Sequence, residues 1–154
     1  MAIASEDIYS LLIPLENERL VVPRSCVAEV IRYSEPSVND ADSWLCGSVT
    51  WNNLDIPVVS FERMCDMSPP TPAGRTRIVV FHPVSGRDDI PYGLLAEGFP
   101  QMVRVSSEVL KVDQGYKPTP DSPIICRVHL LHEQALIPDL ELIEQRLSAA
   151  LAVS

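Results

Sequence analysis

The sequence is short of positive charge. It has 12 Lys and Arg against 21 Asp and Glu, for a formal net charge of −9. Nucleic-acid binding depends on Lys and Arg clusters that neutralise phosphates, and no such cluster occurs, which argues against that class of partner. Docking on an anionic membrane surface is disfavoured for the same reason. Long apolar runs are also missing. Pro, Asp, Glu or Arg interrupts each one before it reaches the ~20 residues of a membrane-spanning helix. Residues Met1 to Asp7 carry neither a basic stretch nor a long apolar one, so no signal peptide is read. A soluble, cytoplasmic protein without direct membrane insertion is expected.

Catalytic signatures are scarce too. There is no G-x-G-x-x-G, no G-x-x-x-x-G-K and no G-x-S-x-G, so nucleotide binding and hydrolase chemistry have no foothold. The four cysteines, Cys26, Cys46, Cys65 and Cys126, are scattered and include no C-x-x-C pair. A chain of this size with 46% hydrophobic residues does not need disulfides, so buried free thiols are the expected state. The histidines are His82, His129 and His132. Cys126, His129 and His132 form C-x-x-H-x-x-H, but an offset of three puts successive members on opposite faces of a strand, and a fourth ligand is missing. Metal binding is therefore not expected. No local motif singles out a Cys–His pair for nucleophilic catalysis. Asp88 and Asp89, beside Gly86 and Arg87, read as a solvated turn.

What is present is a series of short apolar runs broken by turn residues, the signature of many short strands. The 154 residues suit one compact domain, or two small lobes sharing a core, and 21% charged residues argue against global disorder. Runs over Ile8 to Leu15 and Leu20 to Pro23 flank the turn Glu16-Asn17-Glu18. Val27 to Tyr33 is read as a helical turn followed by a strand, and Ser34 to Ser43 as a loop. Trp44 to Trp51 and Leu54 to Phe61 form a predicted hairpin around Asn52-Asn53, because Asn tolerates the positive φ that two-residue hairpins require. Pro57 lies inside the second run, which predicts an edge or a bulge there. Asp66 to Arg75 holds Pro69, Pro70, Pro72 and Gly74 and is the clearest linker, expected between the two lobes. Ile124, Cys126, Val128 and Leu130 alternate onto one face of a strand, with Arg127 and His129 on the other. The end of the chain is helical by pattern. Asp139 is an N-cap, and Leu140, Ile143, Leu147 and Leu151 form one stripe, which packs on the body of the protein or else meets a partner.

Two segments together resemble a known family. Leu45 to Arg63, reading LCGSVTWNNLDIPVVSFER, is similar to the centre of CheW-like domains. There a small-residue turn leads to a strand, an Asn-φ-Arg-Gly hairpin, and then φ-Pro-φ-φ-Asp-φ-Arg. Tyr92 to Phe99 resembles the family's φ-Gly-φ-φ-φ-Asp-x-φ strand. Val27 to Ile31 is similar to its early φ-x-Glu-φ-φ, and Leu136 to Leu140 to its late φ-φ-φ-Asp-φ before the closing helix. The four pieces stand in the family's order along nearly the whole chain.

The resemblance implies a mostly β fold: a single CheW-like domain over 1–154, built of two packed five-stranded β-barrels with a C-terminal helix and a hinge near 66–75. It also implies a job without an active site, metal or cofactor. Such adaptors join the cytoplasmic tip of a chemoreceptor, a methyl-accepting chemotaxis protein, to the regulatory domain of a CheA-type histidine kinase. The receptor-facing residues it points to are Val27, Glu29, Gly47, Trp51 and Asn52, with Trp51 as anchor if it is not a core residue. Tyr92 to Gly98 is a region that would contribute to the kinase side. Asn52 and Asn53 stand where the family has Arg-Gly, Thr50 where it has Asn, and Ser60 where it has Asp. Asn replaces neither the donors nor the charge of Arg. The departures imply a divergent accessory member, similar to the ChpC-like proteins of chemosensory systems that control type IV pili and twitching motility. The competing expectations are a stand-alone regulatory module that keeps only the fold, a Cys/His enzyme and a metal-binding protein.

Overall fold

In the computed structural model of the chain, the described residues are 8–37, 43–84, 90–130 and 132–153. The N-terminal stretch Met1 to Asp7, the middle of the loop read over Ser34 to Ser43, and the Asp88-Asp89 turn lie outside them. The strands are β1 (Ile8–Pro14), β2 (Arg19–Pro23), β3 (Val27–Arg32), β4 (Leu45–Trp51), β5 (Leu54–Val59), β6 (Arg77–Phe81), β7 (Tyr92–Ala96), β8 (Gln101–Val105), β9 (Leu110–Val112), β10 (Ile124–Leu130) and β11 (Glu133–Pro138). Two helices accompany them, the single turn α1 (Phe61–Met64) and the closing α2 (Leu140–Val153).

Turn chemistry sets the local pairings. Glu16-Asn17-Glu18 closes β1 onto β2, with the Leu15 amide donating to the Glu18 carbonyl at 2.8 Å. Asn52 and Asn53 have φ of 52° and 62°, so both central residues of the β4–β5 hairpin are left-handed, as a hairpin matched to strand twist requires. The helical turn expected within Val27 to Tyr33 falls instead on Arg24–Cys26. Pro23, with φ −59°, starts that turn, and β-branched Val27 begins the strand.

The strands form two sheets, in the orders β8-β1-β2-β11-β10-β9 and β3-β6-β7-β5-β4. The five-stranded sheet curls until its two edges meet. Ser37, just past β3, bridges Ser48 on β4 through two backbone hydrogen bonds of 2.8 and 3.3 Å. The other sheet has six strands rather than the expected five, because β9 adds a short strand beside β10. A cleft of about 290 Å3 separates β8 from the β10–β11 turn, where that sheet's edges approach each other.

Strand alternation divides the core into three parts. Leu12, Val21, Val105, Val128 and Ala135 fill the six-stranded sheet, and Val49, Ile56, Val58, Ile78 and Val80 fill the five-stranded one. Between the sheets lies the largest cluster, with Ile13, Leu20, Val22 and Leu136 from one side and Val59, Val79, Phe81, Tyr92 and Leu94 from the other. Helix α2 covers this shared core with Ile143 and Leu147, and Asp139 Oδ1 accepts the Leu142 amide at 3.1 Å as its N-cap. The stripe is therefore mainly a packing stripe.

Two sequence expectations are corrected. Residues 66–75 do not join the sheets: they run from α1 to β6, and β5 and β6 belong to the same sheet. The chain crosses between sheets after β2 and again after β7. Proline density marks backbone that cannot join a ladder, which describes a loop packed on one barrel as well as a boundary. Here Pro69, Pro70 and Pro72 line a cleft of about 320 Å3 with Tyr33 and Leu95. Pro57 is neither on an edge strand nor at a bulge, since β5 has neighbours on both sides. It is accommodated because pairing with β7 involves only Val58 and Val59.

Candidate functional site

Closure of the five-stranded sheet brings together residues that are far apart in sequence. Trp51, at the end of β4, donates its indole Nε1–H to Glu29 Oε1 on β3 at 3.3 Å. The ring is half-buried, with its inner edge against the barrel core of Val49, Ile56 and Val58. Its polar edge and Glu29 face solvent. Asn52 is exposed at the adjoining hairpin, next to Leu54, which is 50% exposed. Thr50 Oγ1, in the position of the family's Asn, donates to Asp55 Oδ1 across the hairpin at 3.0 Å. Glu29, Trp51 and Asn52 thus share one surface at the seam.

The other two candidates have different roles. Gly47 sits at a β-bulge with φ of 134°, and a Cβ there would lie 2.2 Å from the Ser37 carbonyl oxygen. Its position is explained by the close approach of two backbones. Val27 is half-buried against the core between the sheets, so it supports the surface more than it forms it. Ser60, in place of the family's Asp, accepts the Arg63 amide at 3.2 Å as the N-cap of α1. Ser and Asp are equivalent in that position, so this departure leaves the local structure intact.

One exposed aromatic was missed by sequence reasoning. Phe99, in the crossover between β7 and β8, is 66% exposed, and the Arg77 guanidinium lies 4.8 Å above its ring. The available signal was a Gly-Phe-Pro turn directly after a buried run, where a large aromatic has no strand face to occupy. Conversely, the stretch Tyr92 to Gly98 offers little kinase-facing surface. Tyr92, Gly93, Leu94 and Ala96 are all buried in β7, which runs between β6 and β5.

Burial raises the Cys26, Cys65 and Cys126 thiols above their ordinary range, and pushes Cys65 up to about 12. Glu144 adds to the effect at Cys26. A thiol held protonated is a poor nucleophile. Cys126 turns toward the core of the six-stranded sheet, while His129 on the opposite face lies 3.4 Å from Asp113, as the strand offset predicts. Among the described residues, no three His, Cys, Asp or Glu side chains are placed to hold a metal ion. The measurable consequence is slow thiol labelling. At pH 8, Cys65 in the native protein is expected to react on the order of a thousand times more slowly than a free thiol, with full reactivity restored by denaturant. Rapid labelling of Cys65 in the folded state would reopen the Cys/His enzyme.

Comparison with known proteins bears on this arrangement. Among solved structures, the chain is similar to the scaffolding protein TtCheW from Thermoanaerobacter tengcongensis, with a TM-score of 0.71 and 11% identity over 91% of this chain and 89% of that one. At that identity the likeness concerns the fold. Among curated proteins none matches. The family model described as the CheW-like domain matches residues 10–147, which takes in every strand but the first two residues of β1, and α2 as far as Leu147. With that span and this pair of packed sheets, the chain belongs to the CheW-like domain family.

Proposed function

We propose that this protein is a non-catalytic cytoplasmic adaptor. It couples the signalling tip of a chemoreceptor to the regulatory domain of a CheA-type histidine kinase, within a chemosensory pathway of the kind that controls type IV pili and twitching motility. The observation that carries the reading is the Trp51–Glu29 seam, where a half-buried aromatic anchor stands beside an exposed hairpin on a fold of the adaptor family. An amphipathic helix from the receptor would lie against such a surface, with side chains at helical spacing as anchors.

Trp51→Ala tests this. Because only the inner edge of the ring rests on the barrel core, the expected loss of stability is about 1–2 kcal/mol, leaving a folded protein. Affinity for an isolated receptor tip is expected to fall at least ~10-fold, as for a hot-spot aromatic. Undiminished affinity in a folded variant removes Trp51 from the contact. Global unfolding of the variant makes it a core residue. A stand-alone regulator with the same fold is the second reading, favoured by one feature: the hairpin carries Asn52-Asn53 where typical members offer an Arg.

A further inference from the structure

The hairpin lacks a cation, but the structure gathers two on the neighbouring edge of the same sheet. Arg32 on β3 stands directly opposite Arg77 on β6 in the antiparallel register. Cross-strand partners share a face, and like charges directly opposite are destabilising. Neither guanidinium has a carboxylate partner among the described residues; Arg77 Nη1 donates to the carbonyls of Gly74 and Thr76. The nearby carboxylate Glu97 is already taken, by Arg75 Nε at 3.2 Å and by the Thr76 hydroxyl at 3.3 Å. Glu29, the carboxylate on β3, bonds Trp51.

The face that carries this pair is apolar on one side. Val30, two residues before Arg32, is paired with Val79, two residues after Arg77, and packs on the core between the sheets. Period-two alternation puts all four side chains on that face. Phe99 lies beneath Arg77, exposed, and Met102, three residues further on, is 52% exposed. A chain of net charge −9 therefore presents a basic and aromatic corner that no carboxylate among the described residues neutralises.

We propose that the Arg32–Arg77–Phe99 corner is a docking site for an amphipathic helix whose apolar stripe is flanked by Glu or Asp. In the adaptor reading, on which the choice of a helical partner rests, this corner supplies the cationic contact that the Asn52 hairpin does not. An acidic flank would relieve the opposed arginines, while the stripe covers Phe99 and Met102. Recognition is then set by charge at the rim and by aromatic and aliphatic surface within it.

Two synthetic helical peptides with one identical Leu stripe test the proposal, one flanked by Glu and the other by Lys, titrated against the full chain at low salt. Overall charge favours the Lys peptide; the corner favours the Glu peptide. The expected result is tighter binding of the Glu peptide by about threefold to tenfold, from two exposed ion pairs. Amide signals of Val30, Arg77 and Phe99 should shift, and the preference should shrink as salt is added. Arg32→Gln removes an exposed side chain that has no partner among the described residues, and should lose much of the preference while remaining folded. Equal or tighter binding of the Lys peptide overturns the site. So does a Glu preference that survives in Arg32→Gln together with Arg77→Gln, or binding of neither peptide. A Glu preference in a protein that ignores every receptor tip supports the corner and counts against the adaptor reading alone.

Discussion

Gly47→Ala is expected to lower stability by about 2–4 kcal/mol and, for a chain of this size, the melting temperature by about 5–15 °C. Two effects add. At φ of 134° an L-residue is strained, and the new methyl would sit 2.2 Å from the Ser37 carbonyl oxygen and 3.0 Å from Pro36 Cβ. That carbonyl accepts the Ser48 amide in the bridge that closes the five-stranded barrel, so relief of the clash requires opening the closure. The seam that joins Trp51 to Glu29 depends on the same closure, and receptor-tip binding should weaken in parallel with stability. Chemical denaturation checks the first effect, and titration of the folded fraction the second. A stability change below about 0.5 kcal/mol would show that the bridge does not hold the barrel shut.

Ile143→Ala should cost about 3–4 kcal/mol, among the largest effects of any single truncation in the chain. Ile143 is fully buried on the inner face of α2, in the cluster that both sheets share. Leu151, on the same stripe but 38% exposed, is expected to cost less than about 1 kcal/mol when cut to Ala. The gradient along one stripe distinguishes a helix that packs from one held for a partner. If the two variants melted alike, near the wild type, α2 would be loosely docked and the partner-helix reading would return.

The hairpin at Asn52-Asn53 and the capped final helix were legible in the sequence because each is decided locally. Two Asn between apolar runs leave few alternatives to a left-handed turn, and Asp139 before a stripe at helical spacing marks a helix start. Of Ile124, Cys126, Val128 and Leu130, expected on one face, the last three line the core of the six-stranded sheet, while Ile124 lies across a register shift and packs on the core between the sheets. Other features depend on contacts the sequence does not place. Trp51 and Glu29 are 22 residues apart, and they meet only because the outer strands of one sheet curl together. Phe99 owes its exposure to the path of the crossover after β7. The Pro-rich stretch 66–75 carried a true local signal, that its backbone leaves the ladder, but composition does not distinguish a loop within one sheet from a connection between two. Gly47 matches a family motif in the sequence, and its geometry assigns it to the backbone approach at the closure.

The central claim is that one folded molecule serves two partners. It is tested most directly by titrating the purified chain with a chemoreceptor signalling tip and with the regulatory domain of the chemosensory kinase, separately and then together. The account predicts that each binds alone and that both are held at once in a ternary complex. A correctly folded protein that binds neither would contradict it and leave the stand-alone regulator as the better reading of this fold.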